Sequence, residues 1–443
     1  MIYVNDILRI CNGELICGDK NLKCTIFSKD TRVLNQGDVY VGIKGEVFDG
    51  NTFYKDAFMK GASACILDNK EVIDDKFDNG TIILVDNTIE AIQKLALYKR
   101  SLYNIPVVAI TGSVGKTSVK DMVYAVMSSK YNVLCTKGNM NNHIGLPFTI
   151  LSLDKHDAMI VEMGMNHLGE ISLLSKIAKP TIGIITTIGT AHIGNLGSRE
   201  NILKAKMELV DGIDNGTLIL NNDNDLLRTV MYSNKLTIGI DNKSDIMAKN
   251  IHDNIFSSEF HIEDVHISMS VGSRAFVYNA LFAYAIGKLL NINSNDIANK
   301  LKEFKLSPHR LELIKANNYT IIDDTYNASL DSVKNALELL GKINGRKVFI
   351  FGDILELDKY SKKIHQEIGE LVIENKIDVL ITVGEYAKET YNVVYSKGIE
   401  AHYFMDNTTL IGKIKEIIKE NDTILVKASH GMNLVEIVDY LKI

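Results

Sequence analysis

Residues 111–118 read Thr111-Gly112-Ser113-Val114-Gly115-Lys116-Thr117-Ser118. The stretch follows an apolar run at 107–110 that is typical of a buried strand, and a helical pattern begins at about Lys116. A strand, a glycine-containing turn, a Lys-Thr pair and a helix, in this order, are the context that a phosphate-binding loop requires. The stretch therefore predicts a nucleotide-binding domain.

Each part of this loop has a physical role in holding phosphate. Gly112 and Gly115 let backbone N–H groups approach phosphate oxygens, and the start of the helix adds a favourable dipole. Lys116 is expected to reach the β- and γ-phosphates, and the Thr117 hydroxyl to bind Mg²⁺. The loop is a short variant, because Ile110 stands where the general pattern has glycine. An incidental glycine-rich turn is the alternative, and a phosphate loop alone defines no reaction.

Composition limits the classes of protein to consider. The chain has 443 residues, and at about 100–200 residues per domain it should form two to four domains. The net charge of −6 argues against a nucleic-acid partner. The 5 cysteines include no CxxC pair, which favours a reducing cytoplasm over a disulfide framework or a zinc site. The sequence shows no basic-then-apolar leader and no run of ~20 apolar residues, so neither a signal peptide nor a membrane span is expected.

Strand and helix patterns alternate through the middle and the end of the chain, which predicts βαβ units and a mostly parallel sheet. The predicted strands are 105–111, 157–163, 181–188, 319–323, 347–352, 379–384 and 423–427. Helices are predicted from about 116, from 168 and over 199–210.

The first hundred residues differ from this pattern, because strands at 39–43 and 81–85 mix with shorter helices and turns. We place domain boundaries near 104–106 and near 306–308, where Ser307-Pro308 breaks a helix. The expected domains are 1–104, 105–307 and 308–443.

Three reactive side chains follow successive strands of the predicted middle domain. Glu162 lies at the end of its strand, where a carboxylate faces the ligand crevice and can hold a metal. His192 follows the next strand and could ligate a metal through a neutral imidazole, and Lys206 lies on the helix after it. Taken singly they fit a solvent-facing glutamate, a structural histidine and a solvated lysine. Their joint placement favours a site.

Further short motifs accompany the phosphate loop in a fixed order along nearly the whole chain. They lie at 28–32, 37–45, 48–50, 136–147, 162–167, 192, 205–206, 278–280, 309–312, 323–328, 352–357 and 427–432. In sequence and order these motifs resemble the Mur ligase family. The resemblance implies an α/β fold of three domains, with a mixed N-terminal domain, a central phosphate-loop domain with a parallel sheet and a Rossmann-like C-terminal domain.

The resemblance also implies a role for each matched position. In the first domain, the uridine-nucleotide region matches Ser28, Arg32, Lys44 and Gly45. In the middle domain, ATP is expected on Gly112, Ser113, Val114, Gly115, Lys116, Thr117 and Ser118. Asn279 matches an adenine contact, and Arg310 and Asp324 of the third domain match phosphate and ribose contacts. Other substrate contacts are expected at Asn139, Asn142, Tyr326, Asn327, Ser429 and His430.

Magnesium binding and catalysis are expected at an overlapping set of residues. The implied metal ligands are Thr117, Glu162, His192 and Lys206, and the implied catalytic residues are Lys116, Glu162, His192 and Lys206. Lys206 matches a lysine that reacts with CO₂ to become a carbamate, which turns a cation into an anion able to hold Mg²⁺.

The implied reaction is ATP-dependent amide-bond formation through an acyl phosphate. D-alanyl-D-alanine would be joined to the carboxylate of a UDP-N-acetylmuramoyl-tripeptide, in cytoplasmic peptidoglycan precursor synthesis, by an enzyme expected to be a monomer. The resemblance does not give the third residue of the tripeptide.

Five positions depart from the family pattern, namely Asn51, Thr187, Leu330, His430 and Asn433. Arginine is frequent at 430 and could grip a carboxylate with two hydrogen bonds, which histidine cannot. The alternatives are therefore a divergent ligase for another amine, such as D-alanyl-D-lactate or a different dipeptide, and a regulatory ATPase. Folate-glutamate and cyanophycin ligases share the last two domains but differ in the first-domain motifs, and a regulatory ATPase would have no use for uridine-nucleotide motifs.

Overall fold

The computed structural model describes residues 1–316 and 318–442 of the chain. Four sheets fall into three successive parts, which we call the N-terminal part (β1–β7), the central part (β8–β16) and the C-terminal part (β17–β22). Most strand pairs in the larger sheets are parallel, and helices connect them, so the predicted α/β class is confirmed.

The N-terminal part contains a small mixed sheet. Its strands are β1 (Ile2–Tyr3), β2 (Glu14–Cys17), β3 (Lys23–Cys24), β4 (Phe27–Ser28), β5 (Val39–Val41), β6 (Ala64–Leu67) and β7 (Thr81–Leu84). Its helices are α1 (Val4–Cys11), α2 (Tyr54–Met59) and α3 (Thr88–Ser101). The strand order is β2-β7-β6-β5-β4, with only β2 antiparallel, and β1 pairs separately with β3.

The central part is built on a sheet of 9 strands in the order β16-β15-β14-β13-β12-β11-β8-β10-β9. Its strands are β8 (Val107–Thr111), β9 (Val133–Cys135), β10 (Ala158–Glu162), β11 (Ile182–Ile185), β12 (Thr217–Asn221), β13 (Lys235–Gly239), β14 (Ile246–Asp253), β15 (Ser258–Ile262) and β16 (Val265–Met269). Its helices are α4 (Lys116–Met127), α5 (Gly145–Leu151), α6 (Glu170–Ala178), α7 (Ile193–Leu196), α8 (Arg199–Met207), α9 (Asp225–Arg228), α10 (Arg274–Leu289) and α11 (Ser294–Glu303).

The order of the central strands fixes where a ligand can bind. β8 leads through α4 towards β9 on one side, whereas the neighbouring β11 leads through α8 towards β12 on the other. Such a reversal opens a crevice at the carboxyl ends of the two strands. The four residues at 107–110 of β8 are fully buried, as expected of a parallel strand that is covered on both faces.

The C-terminal part has 6 strands in the order β17-β18-β22-β19-β20-β21, and only β17 is antiparallel. Its strands are β17 (Glu312–Lys315), β18 (Thr320–Asp324), β19 (Lys347–Gly352), β20 (Val379–Val383), β21 (Glu400–Phe404) and β22 (Thr423–Lys427). Its helices are α12 (Leu330–Gly341), α13 (Ser361–Glu374), α14 (Ala387–Ser396), α15 (Asn407–Ile411), α16 (Ile414–Ile417) and α17 (Val435–Lys442).

Apolar packing joins the N-terminal part to the central part more closely than it joins either of them to the C-terminal part. A single apolar cluster runs from α1 and α3 into the strands and helices of the central part. Arg100 of α3 adds a hydrogen bond of 2.8 Å from Nε to the carbonyl of Ala178. In the C-terminal part, Val348 and Ile350 pack on one face of β19, while Phe349 and Phe351 pack on the other, because side chains alternate along a strand.

The predicted strands all form, but several ends differ from the prediction, and the structure contains further strands that had not been predicted. The helix expected from 168 begins at Glu170, and the helix expected over 199–210 ends at Met207 and continues as a 3₁₀ turn, Glu208–Gly212. The antiparallel strands β15, β16 and β17 had not been expected. Over residues 1–316 and 318–442, no helix has the length and apolar character to cross a bilayer.

Candidate active site

The phosphate loop joins β8 to α4 in a conformation that requires its two glycines. Gly112 has φ of 149° and Gly115 has φ of 89°, both in the region that favours glycine. A side chain on Gly112 would also overlap the hydroxyl of Thr186. The two glycines therefore leave the loop backbone without side chains at the place where the crevice between β8 and β11 opens.

The segment after β11 holds the loop in place. Ser113 N–H donates to the carbonyl of Thr187 at 2.9 Å, and Val114 N–H donates to the Thr187 hydroxyl at 3.2 Å. Gly189 N–H donates to Oγ of Ser113 at 3.0 Å. Thr187, one of the departures from the family pattern, thus has a structural role here.

Lys116 points back over its own loop. Its Nζ donates to the carbonyl of Gly112 at 2.8 Å. Burial lowers the pKa of this lysine, Glu162 acts to raise it, and the charge of Arg310 lowers it further. This half-buried ammonium can exchange the neutral carbonyl for a phosphate oxygen, which it would bind more strongly.

The side chain of Glu162, at the end of β10, accepts one hydrogen bond on each of its two oxygens. It is 3% exposed, and its Oε2 accepts from the Thr117 hydroxyl at 2.9 Å. Its Oε1 accepts from Nδ2 of Asn141 at 2.9 Å. Sequence reasoning had not singled out Asn141, although the asparagine-rich run at 139–142 was a signal. The solvent-facing alternative for Glu162 is wrong.

Lys206 is buried, so the solvated alternative for this residue is wrong too. It is 1% exposed, and its pKa is lowered well below the usual range by burial and then by the charge of Lys116. Ile202 and Ala205 are the other buried residues of α8. Lys206 therefore lies on the apolar stripe of the helix, a spacing that was visible in the sequence.

His192 begins α7 with a left-handed backbone, φ 64°. Its Nδ1 lies 3.1 Å from Oε2 of Glu356, a residue of the C-terminal part. The histidine lowers the pKa of the Glu356 carboxyl group. Among the described residues, Nδ1 is buried without a well-aligned hydrogen bond, so the nearby carboxylate does not fix which ring nitrogen would face a metal.

Arg310 brings the C-terminal part to the phosphate loop. Its Nη2 donates to the Thr117 hydroxyl at 2.9 Å, and its guanidinium lies 3.8 Å from the centroid of the Tyr326 ring. The residues before and after it, His309 and Leu311, both have a left-handed backbone. His309 Nδ1 is 2.8 Å from Oδ2 of the fully buried Asp323, which fixes this turn.

Asp324, the expected ribose contact, is paired with a lysine. Lys427 Nζ donates to Oδ2 of Asp324 at 2.6 Å and to the carbonyl of Asn327 at 2.9 Å. Burial raises the pKa of the Asp324 carboxyl group, and Lys427 acts in the opposite direction. Sequence reasoning had assigned no role to Lys427, although it begins the motif at 427–432.

The remaining expected contacts of the central and C-terminal parts differ in their exposure and in their bonding partners. Asn279 is 7% exposed beside Gly115. The ring centroid of His430 lies 6.0 Å from that of Tyr326, and Ser429 accepts from Leu355 N–H at 2.9 Å. Asn139 is exposed, and Asn142 accepts from the N–H of Gly145 at 2.8 Å.

The expected uridine-nucleotide residues are bonded to their own neighbours. Arg32 forms a two-pronged ion pair with Asp30, with distances of 2.9 and 2.7 Å. The hydroxyl of Ser28 donates to the carbonyl of Asp30, and Lys44 and Gly45 lie in an exposed turn. Asn51, another departure from the family, is fully buried and bonded to Asp49 and Asp68.

The structure therefore brings together Lys116, Thr117 and Glu162 of the central part and Arg310 of the C-terminal part. A phosphate loop with a carboxylate, a buried lysine and an arginine from a second sheet defines an enzyme of nucleotide-dependent phosphoryl transfer whose site closes between two parts of the chain.

Comparison with known proteins makes this class specific. The pattern described as Mur ligase middle domain matches residues 110–287, and the pattern described as Mur ligase, glutamate ligase domain matches residues 309–430. The chain belongs to the Mur ligase family, and the prediction of this family and of a ligase is confirmed.

Individual relatives match over nearly the full length. UDP-N-acetylmuramoyl-tripeptide–D-alanyl-D-alanine ligase of Bacillus subtilis is 36% identical over 92% of this chain and 91% of its own. The ligase of the same name from Escherichia coli is 34% identical over 100% of this chain and 98% of its own. A crystal structure of MurF from Acinetobacter baumannii superposes with a TM-score of 0.91 at 27% identity, covering 99% of this chain and 98% of that one. MurF ligase from Thermotoga maritima in complex with ADP has a TM-score of 0.82 at 27% identity, covering 94% and 97%.

Proposed function

We propose that this protein joins D-alanyl-D-alanine to the carboxylate of a UDP-N-acetylmuramoyl-tripeptide at the expense of ATP. The observation that carries the proposal is that the Thr117 hydroxyl of the phosphate loop accepts a hydrogen bond from Arg310 and donates one to Glu162. The names of the full-length relatives specify the two substrates. The reaction belongs to peptidoglycan precursor synthesis, which we place in the cytoplasm.

ATP use rests on the family and on the loop itself. The Thermotoga maritima relative was crystallised with ADP. In this chain, the glycine backbone of the loop and the first turn of α4 supply N–H groups that suit phosphate oxygens. Asn279, beside Gly115, suits the adenine, and Asp324 with Lys427 suits the ribose.

We propose a division of labour among three domains, 1–104, 105–307 and 308–443, in a monomer. Residues 1–104 would bind the uridine nucleotide through Ser28, Arg32, Lys44 and Gly45. Residues 105–307 would bind ATP, and residues 308–443 would deliver Arg310 and receive the dipeptide. Closure of three domains suits this chemistry, because water must be kept from an activated acyl group.

The residues beside the loop fit Mg²⁺. Thr117 and Glu162 supply the oxygen ligands that Mg²⁺ prefers, and they already lie 2.9 Å apart. The imidazole of His192 and a carbamate on Lys206 would complete the set. The buried position and lowered pKa of Lys206 favour the neutral amine, which is the form that reacts with CO₂. Bound there, Mg²⁺ would neutralise charge on the phosphates.

The chain's own cations account for the transfer step. Lys116 and Arg310 bind the γ-phosphate from two sides and stabilise the charge that spreads over its oxygens as the tripeptide carboxylate attacks. The acyl phosphate that results is held beside Tyr326 and His430, where the dipeptide amine replaces phosphate. Asn327 and Ser429, the chain neighbours of Tyr326 and His430, would contact the substrates there, and Asn139 and Asn142 would contact them from the central part.

The direct test is an omission experiment. Phosphate release would be followed with ATP, Mg²⁺, UDP-N-acetylmuramoyl-tripeptide and D-alanyl-D-alanine, leaving out one component at a time, and the product would be weighed by mass spectrometry. We expect turnover only with all four components and a product heavier by the dipeptide.

Other outcomes identify which part of the proposal fails. Turnover that needs a different amine, such as D-alanyl-D-lactate, would make the chain a divergent ligase and implicate His430. The His430→Arg variant should then raise the affinity for dipeptides that carry a free carboxylate. Hydrolysis of ATP without any acceptor would instead favour the regulatory ATPase.

A further inference from the structure

A carboxylate of the C-terminal part is bonded to the segment that follows β11. The backbone N–H of Thr190 donates to Oδ2 of Asp331 at 2.8 Å, and the Thr190 hydroxyl donates to the same oxygen at 3.0 Å. Asp331 lies in the first turn of α12, whose N-cap is Ser329. We call this pair of hydrogen bonds the cross-domain contact. Hydrogen bonds to a charged oxygen are the stronger kind.

The same segment holds the phosphate loop. Gly189, the residue before Thr190, donates its N–H to Oγ of Ser113, and Ser113 donates its own N–H to the carbonyl of Thr187. Ser113 is 8% exposed. A displacement of the loop backbone must therefore move residues 187–190, and with them the two donors that face Asp331.

Gly189 is packed directly against Asp331. A Cβ added to Gly189 would lie 2.6 Å from Cγ and 2.9 Å from Oδ1 of Asp331, and its nearest atoms all belong to that side chain. The φ of Gly189 lies outside the left-handed region, so its backbone gives no reason to exclude alanine. The close approach of the carboxylate is therefore the feature that demands glycine at this position.

We infer that Asp331 is a positioning residue that couples the phosphate loop to closure of the C-terminal part. Through Thr190 and Gly189 it holds that part in the place where Arg310 reaches Thr117. Coupling of this kind is reciprocal, so nucleotide on the loop favours closure and closure favours nucleotide binding. The effect on turnover rests on the proposed ligase function, whereas the effect on closure does not.

The first experiment measures closure in the full-length protein by small-angle X-ray scattering, during titration with a non-hydrolysable ATP analogue and Mg²⁺. In Asp331→Ala, the equilibrium constant for closure should fall about tenfold, as expected for loss of a hydrogen bond to a charged group. The matched control is Asp296→Ala, which removes an exposed acidic residue from the first turn of α11 and should close like the wild type.

The second experiment uses the packing of Gly189. Gly189→Ala should also weaken closure about tenfold, because its methyl group displaces the Asp331 carboxylate. In the Asp331→Ala background, the Gly189→Ala substitution should weaken closure no further. The carboxylate that the new methyl group would displace, and that accepts from Thr190, is already absent. Thr190→Ala, which removes only the hydroxyl donor, should give a smaller loss that is likewise absent in the Asp331→Ala background.

Turnover provides a readout that a general loss of stability would not give. In Asp331→Ala, kcat should fall about tenfold, while binding of uridine nucleotide and the melting temperature remain at wild-type values. Independent, additive losses from Gly189→Ala and Asp331→Ala, or wild-type closure in both, would overturn the inference. If closure responds as expected but no amine is ever joined by the wild type, the proposed function is wrong and the coupling stands.

Discussion

The phosphate loop and the expected uridine-nucleotide region illustrate two ways of holding functional groups. Around the loop, Glu162 and Lys206 are 3% and 1% exposed, and Thr117 is bonded both to Glu162 and to Arg310. In the N-terminal part, the side chain of Arg32 is 84% exposed, and its one ion-pair partner within the described ranges is its neighbour Asp30. The side chains around the loop are fixed by protein contacts before any ligand binds. The exposed side chain of Arg32 can still change its conformation when a ligand binds.

The difference has a physical reason. Groups that stabilise charge in a transition state are most effective when they are fixed in advance, because no reorganisation is then needed during the reaction. Groups that only capture a substrate lose little by being exposed, since the substrate itself can order them. Substitutions near the loop should therefore lower kcat, and substitutions in the uridine-nucleotide region should raise KM.

The largest effect is expected for Lys116→Ala. Loss of the ammonium from the phosphate loop should lower kcat by roughly 10³-fold or more, because no other group takes its place on the γ-phosphate. Because desolvation of the wild-type ammonium costs free energy, its removal should not lower the melting temperature. ADP formation and circular dichroism measure the two quantities. Lys302→Ala, on an exposed position of α11, is the control. Wild-type turnover in Lys116→Ala would remove the loop from the mechanism.

Lys206→Ala should lower kcat by roughly 10²–10³-fold if a carbamate is the working group. Short carboxylic acids such as formate or acetate should restore part of the activity, because they can occupy the space of the carbamate. Lys204→Ala, on the same helix but exposed, is the matched control and should behave like the wild type. Two results together would rule out the carbamate. Short acids would fail to rescue the variant, and mass spectrometry of the wild type in bicarbonate would find no added CO₂.

Arg310 tests the link between the two parts that make the site. Arg310→Ala should lower kcat about 10²-fold. The affinity for ATP should change less, because the contacts of the central part with ATP remain. Arg310→Lys retains the charge but not the flat fork that reaches Thr117 while stacking on Tyr326, so it should recover only part of the loss. Single-turnover phosphate release and equilibrium binding of the ATP analogue separate the two steps. Equal losses in both would mean that Arg310 serves binding alone.

The sequence predicts the loop and its strands well because their signals are local. Glycines at fixed spacing, a Lys-Thr pair and the apolar run before them are all contained within 107–118. The burial of Lys206 was harder to predict, because it depends on how α8 packs, and the general preference of lysine for solvent outweighed the position on the apolar stripe.

Contacts between residues that are distant in the chain had no local signal at all. The Glu162–Asn141, His192–Glu356 and Thr190–Asp331 pairs join residues that are distant in the chain. Nor could the residue types reveal that Thr187 holds the loop with its hydroxyl, since that depends on the register between β8 and β11. The antiparallel strands β15 and β16 extend the sheet away from the site and carry no motif.

The smallest effect is expected for Arg32→Ala, which tests the uridine-nucleotide region. Its side chain is largely exposed and bonded only to Asp30 among the described residues, so the melting temperature should not change. The KM for the UDP-linked tripeptide should rise about tenfold, with kcat unchanged at saturation, because a charged hydrogen bond to the substrate is lost. Arg9→Ala, which breaks the similarly exposed pair with Asp6, is the matched control and should leave both constants alone. A fall in kcat without a change in KM would place Arg32 among the fixed groups, and the contrast between the two regions would no longer hold.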